Sequence, residues 1–86
     1  MNENFAAQIA ARLDEALAAF RETGSEIEDG MAHGYSLVQD HSIEGLPALA
    51  FGALEVHREA GTNFSLGVAL ATSRAIQILN EISKEA

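Results

Sequence analysis

The side chains able to do chemistry are three histidines, thirteen carboxylates and a scatter of hydroxyls, with no cysteine at all. The absence of thiols excludes a disulfide scaffold, thiol catalysis and a cysteine-ligated zinc. Helical zinc sites place two histidines four residues apart. His33, His41 and His57 offer no such pair, and no glutamate completes a metalloprotease helix. The segment Asp40-His41-Ser42-Ile43-Glu44-Gly45 opens as a calcium loop does, with oxygen-bearing side chains at the first, third and fifth places and glycine at the sixth. Its twelfth place is Phe51, where a bidentate glutamate is required, and Pro47 stiffens its middle, so it reads as a capped turn. Asp14-Glu15 and Glu28-Asp29 are sequence neighbours on helical segments, and their side chains diverge rather than form an acid–base pair. Neither a Gly-x-Gly-x-x-Gly loop nor a Walker loop occurs, and nothing local sets a nucleophile beside a base. On these residues the chain is not an enzyme and calls for no metal or cofactor. One histidine keeps a functional reading. His57 lies between Glu55 and Glu59 with Arg58 adjacent, neighbours that favour its protonated form and make it a candidate sensor of mild acid. The competing reading is a partly exposed polar residue on a helix.

The elements that must position these groups are all helical. Phe5, Ile9, Leu13, Leu17 and Phe20 make the apolar stripe of an amphipathic helix over about 3–23, and Gly24 stands where a C′ glycine ends one. Ser25-Glu26-Ile27-Glu28 reads as a capping box that restarts a helix over 26–39, although a single long bent helix across Gly24 is the alternative. Gly30 and Gly34 each cost that second helix about 1 kcal/mol relative to alanine. Such a cost needs a reason, either the close approach of another helix or an irregular segment. Gln39 to Leu46 reads as a loop, and Pro47 suits the first turn of a third helix over 47–60. Gly61-Thr62-Asn63 supplies a C′ glycine and two candidate N-caps for a fourth helix over 63–84.

That fourth helix is apolar around most of its girth. Phe64, Val68, Ala71, Ala75, Ile78 and Ile82 step by four and three like a heptad seam, while Leu66, Leu70, Ile76 and Leu79 lie off it. Such a helix has to be covered on two sides, one by its hairpin partner and the other by more chain or by a second subunit. The totals point the same way. Eighty-six residues make a single helical domain of three to four helices with a modest core, rich in alanine and with no tryptophan, and small scaffolds gain from self-association. The expected assembly interface is the small and apolar set Ala48, Ala50, Gly52, Gly67, Val68, Ala71, Ala75, Ile78 and Ile82. Leucine at Gly52 or Gly67 is expected to disrupt it.

A formal net charge of -8 argues against nucleic acid and anionic lipid as partners. Residues 22 to 44 hold six acids and no Lys or Arg, which is either a solvated face or a docking surface for a basic protein. Met1-Asn2-Glu3-Asn4 lacks the basic and apolar regions of a secretory signal, and no segment is apolar enough to span a bilayer. A cytoplasmic location is expected, with signal-less secretion left open.

Pro47-Ala48-Leu49-Ala50-Phe51-Gly52-Ala53-Leu54 resembles the core of the RebB-type R-body ("killing trait") family of small bacterial proteins. The later Asn63, Gly67, Ala69, Ala71 and Ala75 are compatible with the Ala- and Asn-rich helix that follows in that family. The resemblance covers about half the chain, and Glu55, His57, Arg58 and Glu59 add charges that the family's helix lacks. It implies a subunit of a coiled protein ribbon made in the bacterial cytoplasm, responsive to acid, with itself or related small helical subunits as partners. A second resemblance, in size, lack of cysteine, helical hairpin with a proline-containing turn and apolar C-terminal helix, is to the needle subunit of type III secretion systems. From a different class, an acidic helical adaptor, secretion chaperone or immunity-like protein would use the same composition to bind one protein partner.

Overall fold

Three glycines on two helices determine how this chain packs. The computed structural model describes residues 2–85, so Met1, where the reading of the amino terminus begins, lies outside the described residues. Four helices follow in order: α1 (Glu3–Thr23), α2 (Glu26–Gln39), α3 (Leu46–Ala60) and α4 (Asn63–Glu85), with a 3-10 turn at Ile43–Gly45 before α3. No strand occurs among the described residues.

Local chemistry sets the breaks. Asn2 caps α1 through its side-chain oxygen, which accepts from the Asn4 and Phe5 amides. Gly24 and Gly61 close α1 and α3 at positive φ, their amides donating to Phe20 and His57 carbonyls at 2.7 and 2.8 Å. The bent-helix alternative is therefore replaced by a true break at Gly24. Ser25 sits in the N-cap conformation of α2 but makes no side-chain capping bond, so the capping box read there does not form. The reciprocal box is at the start of α4 instead. There the Ser65 amide donates to Thr62 Oγ1 at 3.1 Å and the Thr62 amide donates back to Ser65 Oγ at 3.2 Å. Serine fills the place usually held by Glu or Gln.

α2 and α4 form the most extensive helix pair, and they run in the same direction. Gly30 and Gly34 on α2 face Gly67 and Ala71 on α4, one turn apart on each. A Cβ on Gly67 would run into the Ile27 carbonyl and stand 2.7 Å from the Met31 amide, and one on Gly30 would strike the Phe64 carbonyl. At Gly34 it would lie 2.7 Å from Ala71 Cβ. These distances are shorter than real Cβ contacts, so the helices meet backbone to backbone. Close approach is thus the reason for the two α2 glycines, and the irregular-segment alternative falls away.

α1 lies against α2 and touches α4, contributing Phe5, Ile9 and Ala16 to the core; α2 adds Ala32, Tyr35 and Val38. α3 packs on α4, on the side fixed by a 2.8 Å contact between His57 Nδ1 and Ser65 Oγ, with Leu46 buried at its start. Ser65, Ala69 and Thr72 form that buried face of α4, and the Thr72 hydroxyl donates to Val68 and Ala69 carbonyls one turn back. The four-helix globule measures 37 × 28 × 20 Å. Of the two covers open to α4, more of the chain or a second subunit, the chain itself supplies most: α2, α3 and α1 pack on it, leaving Leu70 and Phe64 partly exposed.

The backbone-to-backbone crossing makes Gly67 and Gly52 respond oppositely to the same change. Gly67→Ala is expected to lower stability by roughly 1–3 kcal/mol through forced separation of α2 and α4. Gly52→Ala, with open space at its Cβ position, should raise it by up to about 1 kcal/mol through helix propensity. Urea midpoints of the two variants check this. A Gly67→Ala protein as stable as the parent would rule the tight crossing out.

Candidate functional site

The expected interface residues divide into three groups. Gly67, Ala71, Ala75 and Ile78 are buried inside the subunit, and Ala50 is nearly so, at 9 % exposure. Val68 and Ile82 are half-buried, with Ile82 packed along the edge of the core. Only Ala48 and Gly52 lie on the open surface. The α4 seam is spent on the chain's own core because Gly67 and Ala71 meet α2 there. What faces outward is α3.

α3 has only one extensive helix neighbour, α4, and its far side, from Phe51 through Ala48 to Gly52, is exposed. Phe51 is 66 % exposed, Val56 58 % and Leu54 44 %. Scattered exposed apolar residues are ordinary, but three large ones on one helix beside an exposed Gly52 are a concentration. Sequence reasoning placed Ala48, Ala50 and Gly52 on this surface and missed Phe51, Leu54 and Val56. Val56 lies with Leu49 and Ala53 on the flank that borders a groove.

That groove runs between α2 and α3 over α4. His33 and Leu37 form one wall, Leu49, Ala53 and Val56 the other, and Phe64, Ser65 and Val68 the floor, enclosing about 230 Å³ of mostly apolar space. His33 packs on Phe64 with ring centroids 5.5 Å apart. His57 is half-buried and bridges α3 to the N-terminal turn of α4 through Ser65. Its two acidic neighbours are engaged elsewhere or exposed, since Glu55 lies 3.1 Å from Arg58. His41 has a capping role. Its Nδ1–H donates to the Leu37 carbonyl at 2.7 Å, which fixes the tautomer because a carbonyl can only accept.

The Asp40–Gly45 segment is a turn. Ser42 Oγ accepts from the Gly45 amide at 3.3 Å and caps the 3-10 helix. Among the described residues no three His, Asp or Glu side chains converge as metal ligands do. Three of the six acids between residues 22 and 44, Glu26, Glu28 and Asp29, occupy the first turn of α2, where the helix dipole favours them. No helix among the described residues is long and apolar enough to cross a membrane. Comparison with known protein families, curated proteins and solved structures finds no match to this chain.

Tyr35 is displaced from its ordinary titration behaviour. Burial raises its pKa above 10.0, and the nearby charges of Arg12 and Arg74 offset part of that rise. Below pH 10 the phenol is neutral whether the chain is folded or not. Above it the unfolded chain gives up the proton while the folded one holds it, so stability falls as pH rises through and beyond 10. Tyr35 is the only tyrosine and there is no tryptophan, so tyrosinate absorbance reads this site alone. It should titrate above 10.0 and together with loss of helical circular dichroism. A midpoint at the ordinary value with helicity intact would contradict the burial account.

Proposed function

We propose that the chain is a non-enzymatic structural subunit that self-assembles through the exposed face of α3 into a bacterial, cytoplasmic protein polymer, an R-body-like ribbon. The observation that carries this reading is Gly52. It costs an exposed helix interior about 1 kcal/mol, and nothing within 4 Å of its Cβ position in the subunit accounts for that cost. The other helical glycines, Gly30, Gly34 and Gly67, all face the backbone or Cβ of a neighbouring helix. A neighbour resting on Ala48 and Gly52, with Phe51 on one side of it and Val56 on the other, would give Gly52 the same justification and cover the two most exposed large apolar side chains. His57, which ties this helix to α4 through Ser65, is the residue through which acid would alter the surface.

A second reading is an acidic interaction module that binds one basic protein. The net charge of -8 favours it. The two readings give opposite salt responses. Self-assembly of like-charged subunits is opposed by repulsion that salt screens, so added salt promotes it. Capture of a basic partner by charge attraction weakens instead.

Light scattering with negative-stain microscopy at neutral pH and about pH 5 tests the proposal. Large or polymeric species are expected from the parent chain, growing with salt. Gly52→Leu and Phe51→Ser should keep the helical content of the subunit and lose the assembly. A monodisperse monomer or dimer at high concentration would sink the polymer reading, and assembly by Gly52→Leu as efficient as the parent's would move the contact off α3.

A further inference from the structure

We propose that the cleft between α1, α2 and α4, on which Arg12, Tyr35 and Arg74 converge, binds a small organic carboxylate with a short aliphatic chain. The cleft encloses about 350 Å³ and is lined by Arg12, Met31, Tyr35, Leu70, Ser73, Arg74 and Gln77. Its volume lies at the lower end of the range for small-molecule sites.

Three features point to this ligand class. The chain has only five basic side chains among thirteen acids, yet two of its four arginines line this one opening. Guanidinium groups present paired donors matched to a carboxylate. Tyr35 is only 2 % exposed and lines both this cleft and the adjoining one. No hydrogen bond to its hydroxyl forms among the described residues, and no side-chain polar atom there is fully buried without a partner, so the hydroxyl is a free donor where the two adjoining clefts meet. A phenol held at the floor of an opening flanked by two cations supplies the third hydrogen bond to an anion. Finally, Met31 and the 47 % exposed Leu70 give the opening an apolar side, which suits a hydrocarbon tail rather than a bare inorganic ion.

The arginines are held only loosely by their own helices. Arg12 lies 3.6 Å from Glu15, and Arg74 donates to Gln77 at 3.1 Å, both exposed and one turn apart. Exposed pairs of this kind are weak and can be exchanged for a ligand. Glu15 and Glu28 line the adjoining cleft on the other side of Arg12, so the acid-free part of the opening is the part beside Arg74. Both guanidinium charges act on the Tyr35 phenol, and the Glu15 carboxylate acts on it in the opposite sense as the smallest of the three, so the two cations prevail on an anion bound there. The site lies across the α2–α4 pair and shares no lining residue with the groove beside α3. It stands or falls independently of the assembly proposal.

The test is a titration of the full chain at neutral pH with 3-methylbutanoate, followed by amide chemical shifts and by the fluorescence of the lone tyrosine. Saturable shifts at Arg12, Tyr35 and Arg74 are expected, with 3-methylbutan-1-ol, the uncharged analogue, binding at least tenfold more weakly. Arg74→Gln and Arg12→Gln are surface changes that should keep the fold and weaken the carboxylate at least tenfold each. Tyr35→Phe, followed by amide shifts, should weaken it severalfold with helicity unchanged. No saturable shift with the carboxylate, or equal binding of the alcohol, would overturn the site. Unchanged affinity in both arginine variants would do the same.

Discussion

Everything in this subunit depends on the approach of α2 to α4 at Gly30, Gly34, Gly67 and Ala71. The chain has few aromatic side chains and much alanine, so burial of bulky groups alone gives a thin core. Removing the Cβ atoms at the crossing lets two backbones touch and brings the flanking side chains into contact that longer residues would prevent. Val38, Ala75 and Ile78 are then fully buried or nearly so. Two of the four orphan amides at the start of α4, those of Thr62 and Ser65, are satisfied in the same neighbourhood by the Thr62–Ser65 box, and Ser65 also receives His57 from α3. The crossing and the cap together fix where α3 can lie.

Much of the fold was legible because its punctuation is local. Gly24 and Gly61 close helices, Pro47 lies in the first turn of α3, and the stripe from Phe5 to Phe20 marks one face. The cost of two glycines in α2 also announced a close contact. The partner of that contact was not legible. Gly67 reads equally well as a contact with a second copy or with the chain's own α2, and only the three-dimensional path decides. The cap at α4 was half legible, since Thr62 stood out while a serine doing the work of a glutamate did not. Ser25 shows the reverse: the capping sequence is present and the capping bond is absent.

The candidate surfaces follow the same division. Ala48 and Gly52 were placed on an interface by their size, but the large residues beside them could not be assigned to a face without knowing that α3 rests chiefly on α4. Helical period gives the relative direction of Phe51, Leu54 and Val56 around α3 and not which direction is bare. The cleft of Arg12, Tyr35 and Arg74 had no sequence signal. Its residues come from three helices, and each alone is an ordinary choice on an amphipathic helix.

Glycine usage now separates constraints internal to the subunit from one that is not. Gly24 and Gly61 are explained by backbone conformation, and Gly30, Gly34 and Gly67 by the α2–α4 contact. Gly45 lies in the 3-10 turn, against the Ser42 hydroxyl that caps it. Gly52 has no such account: its helix is regular, its Cβ position is open, and alanine would serve the isolated subunit better. A second body lying against α3, flanked by Phe51 and Val56 as the proposed assembly requires, would give that glycine a reason, whereas the small residues of the α4 seam already have theirs inside the subunit.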